Sequence, residues 1–352
     1  MSGIAWPALP APAGALLLAL QYQLAKSERW PAPQLEEMQF EALQRLLVHA
    51  VTTVPYYGEH GAYGEISTGA PLTPETWSQF PILTRADVLE AGRTLGSRAA
   101  PADHAPLYET VTSGTTGAPV HIIGTRVTST LWQAITLRDL SWHPRDVTGK
   151  LAAIRAEAGD TIPPEGVDLP GWGAATDLVY DTGPCALLSI GQDIQTQADW
   201  LVRHDPDYLL SYPSNLLALA DHFRSQGLKL GSLRGVTSYG EVLDPEVRAA
   251  CRDTWGAEVV DMYSAQEVGY IALQCPKGES YHVQSESVYV EVLDDNGRAC
   301  APGEVGRVVV STLHNFAMPL LRYEVGDLAE VGDRCPCGRK LPVLTRLAGR
   351  QE

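Results

Sequence analysis

The sequence predicts an α/β fold of layered, mostly parallel sheets flanked by helices, with a smaller antiparallel β subdomain. Two observations lead there. From about residue 130 to 310, short apolar runs such as "KLAAIRA", "YLLSY", "AEVVDMY" and "GRVVVSTL" alternate with helical stretches such as "PSNLLALADHFRS" and "DPEVRAACRDTW". That is the alternation of parallel βα units. After residue 280 the pattern becomes strand upon strand, "YHVQSESVYVEVLDD" and then "DDNGRACAPGEVGRVVVSTL", punctuated by Gly turns, which reads as antiparallel pairing. A chain of 352 residues with 45% apolar content exceeds the usual single core but can fill one large layered domain or two subdomains.

The elements follow in order. The Pro/Ala-rich first thirteen residues read as a mobile arm. Residues 33 to 54 place Leu35, Met38, Leu43, Leu46, Leu47 and Val51 at helical spacing, with Glu36 and Glu37 in the first turn, and "VPYYGEH" then breaks the helix. "LTPETWSQFPILTRADVLEAG" carries a Pro-Glu helix start, a break at "FPIL" and a second start at Thr84. The expected division is a layered core over 1–265, an antiparallel β subdomain over 266–348, and 349–352 as the start of a hinge.

Charge and composition exclude several function classes. A net charge of −16 disfavours nucleic acid or an anionic membrane as the main partner, since both reward a basic face. "GALLLALQYQLA" is too short to span a bilayer, Gln21 and Gln23 interrupt it, and no basic segment precedes it as in a signal peptide. Six cysteines in so long a chain do not suggest a disulfide scaffold, and a cytoplasmic enzyme is expected; its oligomeric state is left open, a homodimer included.

Three segments carry chemistry. "TSGTTGAPV", residues 112 to 120, follows a short strand and joins glycines to the hydroxyls of Ser113, Thr115 and Thr116. Successive N–H groups in such a loop can wrap phosphates. It is not the common phosphate loop, because Ala118 and Pro119 stand where a lysine would be. Alone, it also reads as a Gly/Thr-rich surface turn. "DMYSAQEVGY", residues 261 to 270, follows a strand, and loops after strand carboxyl ends are where α/β sheets place ligands. Tyr263 could stack on a base and Glu267 could hold a phosphate-bound Mg²⁺. The alternative is an ordinary strand-to-helix connection with Glu267 as a first-turn charge. In "LLRYEVGDLAEV", Asp327 follows Gly326 in an expected turn, where a carboxylate can accept from two ribose hydroxyls. Asp is equally a common turn residue.

Cysteine and histidine suggest a further constellation. "CPKGESYH" holds Cys275 and His282, and "CPCGR" holds Cys335 and Cys337. Three thiols and one imidazole match a tetrahedral structural zinc site, although the spacings are not those of common zinc fingers. Spacing alone leaves metal ligands and buried or turn cysteines open. Cys185, Cys251 and Cys300 read as ordinary core or surface residues.

In this order the segments carry a resemblance to the adenylate-forming superfamily of acyl-CoA synthetases, luciferases and peptide-synthetase adenylation domains. The phenylacetate-CoA ligase branch is the most similar. "VPYY", "FPILTRADV", "TSGTTGAPV", "YPSNLLALA", "SYGEVL", "YSAQE", "LRYEVGD" and the Gly-Arg pair at 349 and 350 carry it over nearly the whole chain. "YSAQE" departs from Tyr-Gly-x-Thr-Glu at Ser264 and Gln266, and "YEVGD" from Tyr-Arg-Thr-Gly-Asp. The resemblance implies ATP and Mg²⁺ as cofactors, a small aromatic carboxylic acid as substrate and CoA as the default acyl acceptor.

It implies roles residue by residue. Ser113, Gly114, Thr115, Thr116 and Gly117 would hold the β and γ phosphates, and Gly240 and Glu241 would flank the base on which Tyr263 stacks. Glu267 would ligate Mg²⁺, Asp327 would hold the ribose, and Arg350 would reach toward ribose or phosphate. Tyr212, Tyr239 and Ala265 would wall the acyl pocket, or serve as plain core beneath it. Thr115, Thr116 and Glu267 are the catalytic candidates. The resemblance also raises the expectation of zinc on Cys275, His282, Cys335 and Cys337. It assigns the chain to the large N-terminal domain, the family's catalytic lysine lying in a small C-terminal lid beyond the hinge. Two other functions stay open: acyl transfer to an amine, hydroxyl or carrier-protein thiol, and non-catalytic binding of a nucleotide or acid.

Overall fold

The computed structural model describes residues 10–64, 71–111, 119–156 and 161–350. Helix α1 (Pro12–Ser27) opens the described chain. It takes in Pro12 and Ala13, which the sequence had assigned to a mobile arm; proline suits a first helical turn, where its missing N–H is not needed. Helix α2 (Ala32–Thr53) buries Leu35, Leu43, Leu46 and Leu47, the spacing that predicted it. Short helices α3 (Pro55–Glu59) and α4 (Gly61–Gly64) follow. The two expected starts are helices α5 (Pro74–Trp77) and α6 (Arg85–Ala91). Each is fixed by a capping box, Thr73 with Thr76 and Thr84 with Asp87, which satisfies amides that a helix start leaves open. Strands β1 (Leu107–Val111) and β2 (His121–Thr125) pair antiparallel as a two-stranded sheet.

Helix α7 (Arg126–Trp142) leads into the βα alternation. Its elements are β3 (Leu151–Arg155), β4 (Val167–Leu169), α8 (Ala174–Asp177), β5 (Cys185–Ser189), α9 (Ile194–His204) and β6 (Tyr208–Ser211). Then come α10 (Pro213–Gln226), β7 (Gly235–Tyr239), α11 (Pro245–Trp255) and β8 (Val259–Ala265). Strands β9 (Gly269–Gln274), β10 (Tyr281–Val283), β11 (Val288–Leu293), β12 (Val305–Thr312), β13 (Tyr323–Val331) and β14 (Val343–Arg350) complete the chain. No described helix is long and apolar enough to cross a membrane.

The chain forms two compact units: Met1–Gln23 with Gln133–Tyr263, and Leu24–Trp132 with Ser264–Glu352. In the first, the strands lie in the order β7-β6-β3-β5-β4, with β8 beside β7. All pairings there are parallel except β4 with β5. Parallel strands need both faces covered. On one face Ala152, Ile154, Leu188, Leu209 and Val236 meet Trp200, Leu216, Phe223 and Val247 of the helices. On the other, Ala153, Cys185 and Leu187 gather Ile162, Trp172 and Leu210.

In the second unit the order is β11-β12-β13-β14-β10-β9, with the registered pairs antiparallel. The expected single cut at 265/266 lies beside the crossing at Tyr263, but residues 24–132 belong with the β-rich unit rather than with the parallel core. The reason is long-range packing. Leu43, Leu46, Leu47, Trp77 and Phe80 share one buried cluster with Leu313, Leu320, Leu321 and Tyr323. Gln39 Nε2 donates to the carbonyls of Ser285 (2.9 Å) and Val288 (3.0 Å), and Tyr57 Oη donates to that of Pro319 (2.9 Å). Arg322, itself 2% exposed, donates to both oxygens of Glu291 and to the carbonyls of Ser78 and Phe80. A helical segment and a strand segment thereby close one core.

Candidate functional site

In the parallel unit the candidate residues collect at the carboxyl ends of β6 and β7, where open α/β sheets bind ligands. Tyr212 follows β6 directly in extended conformation and caps α10, with Pro213 as the first helical residue. Tyr239 ends β7, and the two rings lie 4.8 Å apart between centroids. Gly240 then turns with φ +78°, and a Cβ there would sit 3.1 Å from the Tyr212 ring. Both the backbone conformation and the close approach require glycine. Burial, then the hydrogen bond to Tyr212, pushes the Tyr239 phenol well above its ordinary value, so it stays protonated. Glu241 Oε2 accepts from the Ser214 amide at 2.9 Å, in the first turn of α10, where a carboxylate complements the unpaired amides. Tyr263 lies within β8 and is buried.

In the second unit, Ala265 ends β8 and a three-residue turn, Gln266 to Val268, leads straight into β9, with Gly269 at φ +80°. The strand-to-helix connection considered for this segment is therefore absent: Glu267 stands in a strand-to-strand turn, and Cys275 follows a strand. Local sequence is ambiguous here, because "SAQEV" fits a helix start as well as a turn. Glu267 Oε1 accepts from Arg85 Nη1 at 3.1 Å, a contact brought by the α6 start. Burial and then the Glu267 charge push the neighbouring Tyr323 phenol up to about 12. Arg85 was not among the sequence candidates. A guanidinium already neutralises the carboxylate, so any Mg²⁺ held by Glu267 must share it.

Asp327 stands within β13 rather than in the expected turn; Gly326 before it, at φ +84°, supplies the local irregularity that resembled one. Its register partner in β14 is Arg350, so two residues separated by most of the hinge-proximal sequence become neighbours along the ladder. Ser113, Gly114, Thr115, Thr116 and Gly117 lie outside the described residues.

The Cys/His constellation is brought together completely. The ligating atoms of Cys275, His282, Cys335 and Cys337 all lie within 4.8 Å of one another. Cys275 Sγ and Cys335 Sγ are 3.5 Å apart, and Cys337 Sγ is 3.3 Å from His282 Nε2. His282 sits in β10, fully buried, between β9 and β14. The amides of Lys277 and Arg339, each two residues beyond a cysteine, donate to Cys275 Sγ (3.4 Å) and Cys337 Sγ (3.5 Å). Such donors favour thiolate. Without a cation, burial pushes the Cys275 thiol up to about 12. Burial also pushes at Cys337, but the Arg339 amide and neighbouring thiols outweigh it and leave that thiol below its ordinary value. Four soft or borderline donors in this arrangement fit a tetrahedral Zn²⁺ with no position left for water.

Against known proteins, the family model of the AMP-binding enzymes matches residues 183–318. The phenylacetate-coenzyme A ligase of Aromatoleum evansii is 24% identical over 333 residues, 92% of this chain and 72% of that protein. The enzyme of the same name from Thermus thermophilus is 25% identical over 338 residues, again 92% and 72%. A solved open conformation of 2-hydroxyisobutyryl-CoA ligase, in complex with 2-HIB-AMP and CoA, superposes with a TM-score of 0.72 at 21% identity, covering 93% of this chain and 77% of that one. The parallel and antiparallel units together have the fold of that ligase. Over most of its length the chain is similar to these phenylacetate-coenzyme A ligases.

Proposed function

We propose that this protein activates an aromatic carboxylic acid with ATP. A carboxylate oxygen attacks the α-phosphorus, the bond to the bridging oxygen of pyrophosphate breaks, and an acyl-adenylate remains. The thiol of CoA then attacks the acyl carbon and AMP leaves. The observation that carries this reading is the similarity to phenylacetate-coenzyme A ligases across 92% of the chain, joined to candidate residues at strand carboxyl ends. Catalysis of this kind rests on positioning and on donors aimed at developing charge.

Gly240, Glu241 and Tyr263 contact the adenine, and Tyr212, Tyr239 and Ala265 shape the acid pocket. Asp327 accepts from the ribose hydroxyls, Arg350 reaches the ribose or phosphate, and Glu267 holds Mg²⁺ in competition with Arg85. Ser113 to Gly117 hold the terminal phosphates. Aromatic walls with few polar groups suit a flat ring. Zinc on Cys275, His282, Cys335 and Cys337 is structural, since the four ligands complete its shell.

A benzoyl sulfamoyl-adenosine, which mimics the adenylate without requiring a chemical step, tests the reading by calorimetry. The expected result is stoichiometric binding that ATP with Mg²⁺ competes away. Absence of binding by both ligands would overturn it.

A further inference from the structure

Three chain segments meet at the Cys/His cluster, and all belong to the second unit. Two carry the ligands, 275–282 and 335–337. The third is the turn that follows α1. The Lys340 amide, just beyond the second cysteine pair, donates to the Glu28 carbonyl at 2.7 Å. Arg339 Nε donates to Glu28 Oε2 at 3.3 Å, and the two side chains are only 12% and 8% exposed. Glu28 therefore holds the cysteine loop by main chain and side chain together. Its own place is fixed from another direction. The neighbouring Ser27 hydroxyl bonds the Glu286 carboxylate, and the Glu286 carbonyl accepts from His314 Nε2 at 2.8 Å. Exposed Arg29 comes no nearer than 3.9 Å to the other Glu28 oxygen, beyond hydrogen-bond reach.

Arg339 also faces the ligands. Its amide donates to Cys337 Sγ at 3.5 Å, and its side chain bonds the same sulfur. The contacts thus run from carboxylate to guanidinium to sulfur. Zn²⁺ with three thiolates and a neutral imidazole carries one net negative charge, and a charge taken out of water must be paired. A planar, always charged fork can meet a carboxylate on one side and a sulfur on the other, which a point charge on a flexible stem does less well. Carboxylates that orient zinc-bound imidazoles act in the same way, one contact removed from the metal.

We infer that Arg339 and Glu28 are positioning residues of the metal site: Arg339 supplies the counter-charge of the zinc–thiolate core, and Glu28 aims it. The inference rests on the zinc reading and deepens it. Zinc then pins the turn after α1 as well as the two cysteine segments.

Zinc affinity tests this, measured by competition with a chromophoric chelator in the unaltered chain, Glu28→Gln, Arg339→Met, Arg339→Lys and Arg322→Met. Glu28→Gln and Arg339→Met should each weaken zinc binding about 10- to 100-fold, the usual effect of removing a group that supports a metal ligand. Arg339→Lys keeps the charge without the fork and should recover part of the loss. Arg322→Met breaks a buried pair of the same unit whose partners include none of the four ligands. It should lower the urea midpoint and leave zinc affinity unaltered. Circular dichroism shows which variants are folded, and if Glu28→Gln is not, the two Arg339 variants decide. Unaltered zinc affinity in either Glu28→Gln or Arg339→Met, an equal loss in Arg322→Met, or no recovery in Arg339→Lys would overturn the inference while leaving a structural zinc standing. An unaltered chain that binds no zinc would overturn the zinc reading, and the inference with it.

Discussion

Removing the proposed zinc from the Cys/His cluster should cost an amount that the geometry of the cluster sets. Cys275 and Cys335 lie 60 residues apart in sequence, with their sulfurs 3.5 Å from each other. Closing a loop of that length costs the unfolded chain about 4 kcal/mol in entropy, which a metal clip converts into stability of the folded state. Metal binding to ligands assembled only by folding is itself folding free energy. For a unit of roughly 200 residues, a loss of about 4 kcal/mol lowers the melting temperature by about 8–16 °C. The perturbation is treatment with a strong zinc chelator, matched by His282→Ala, and the assays are elemental analysis and differential scanning calorimetry. Stoichiometric zinc in untreated protein and a fall of that size on chelation are expected. Nucleotide binding should weaken only in step with the melting shift, because the site has four protein ligands and no open position. Protein purified without chelator that contains no zinc, or a melting curve indifferent to its removal, would refute the reasoning.

Other expectations are checked more briefly. Asp327→Ala should weaken ATP and adenylate-mimic binding by about 10- to 150-fold, the size of hydrogen bonds to a charged acceptor, and unchanged calorimetric affinity would exclude the ribose contact. Arg322→Met leaves Glu291 buried without its cation, and should cost about 3–5 kcal/mol in urea unfolding, against little loss if the pair were dispensable. Burial, with Arg45 and His104 adding to it and the Glu286 carbonyl opposing, holds His314 below its ordinary value of 6.5. Stability from this group is full above about pH 6.5 and is lost as pH falls through the lowered folded value. Unfolding midpoints should decline on acidification over that window, and His314→Gln should flatten the decline. Identical slopes would contradict the assignment.

What the sequence made legible was whatever depended on neighbours in the chain. The apolar spacing of α2, the helix starts at Pro74-Glu75 and Thr84, and the βα alternation are local patterns, and the structure contains them. The four zinc candidates were singled out by residue type, but spacing alone left them open as turn or buried cysteines and the resemblance raised the expectation; topology brings the four side chains together. Long-range packing was not legible. Nothing in residues 24–132 announces that Gln39 and Tyr57 bond to carbonyls some 250 residues later, and so the unit boundary was drawn too simply. Asp327 was expected in a turn and stands in a strand, and the helix start weighed for Glu267 is a turn, since a charged residue near a glycine fits a turn, a helix start or an irregular strand alike. Arg85 and Arg339 were missed because each reads as an ordinary charged residue. Only the third dimension sets one against Glu267 and the other against Glu28.

The proposed activity requires that this protein bind an aromatic acid and adenosine monophosphate as a joined molecule. The measurement that tests it most directly is the affinity of an aroyl sulfamoyl-adenosine compared with those of adenosine monophosphate and the free aromatic acid. The joined ligand should bind far more tightly than either part, because the second half binds without a second loss of translational freedom. Asp327→Ala should weaken the joined ligand and the nucleotide but not the acid. Affinity for the joined ligand no better than that of adenosine monophosphate alone would contradict it.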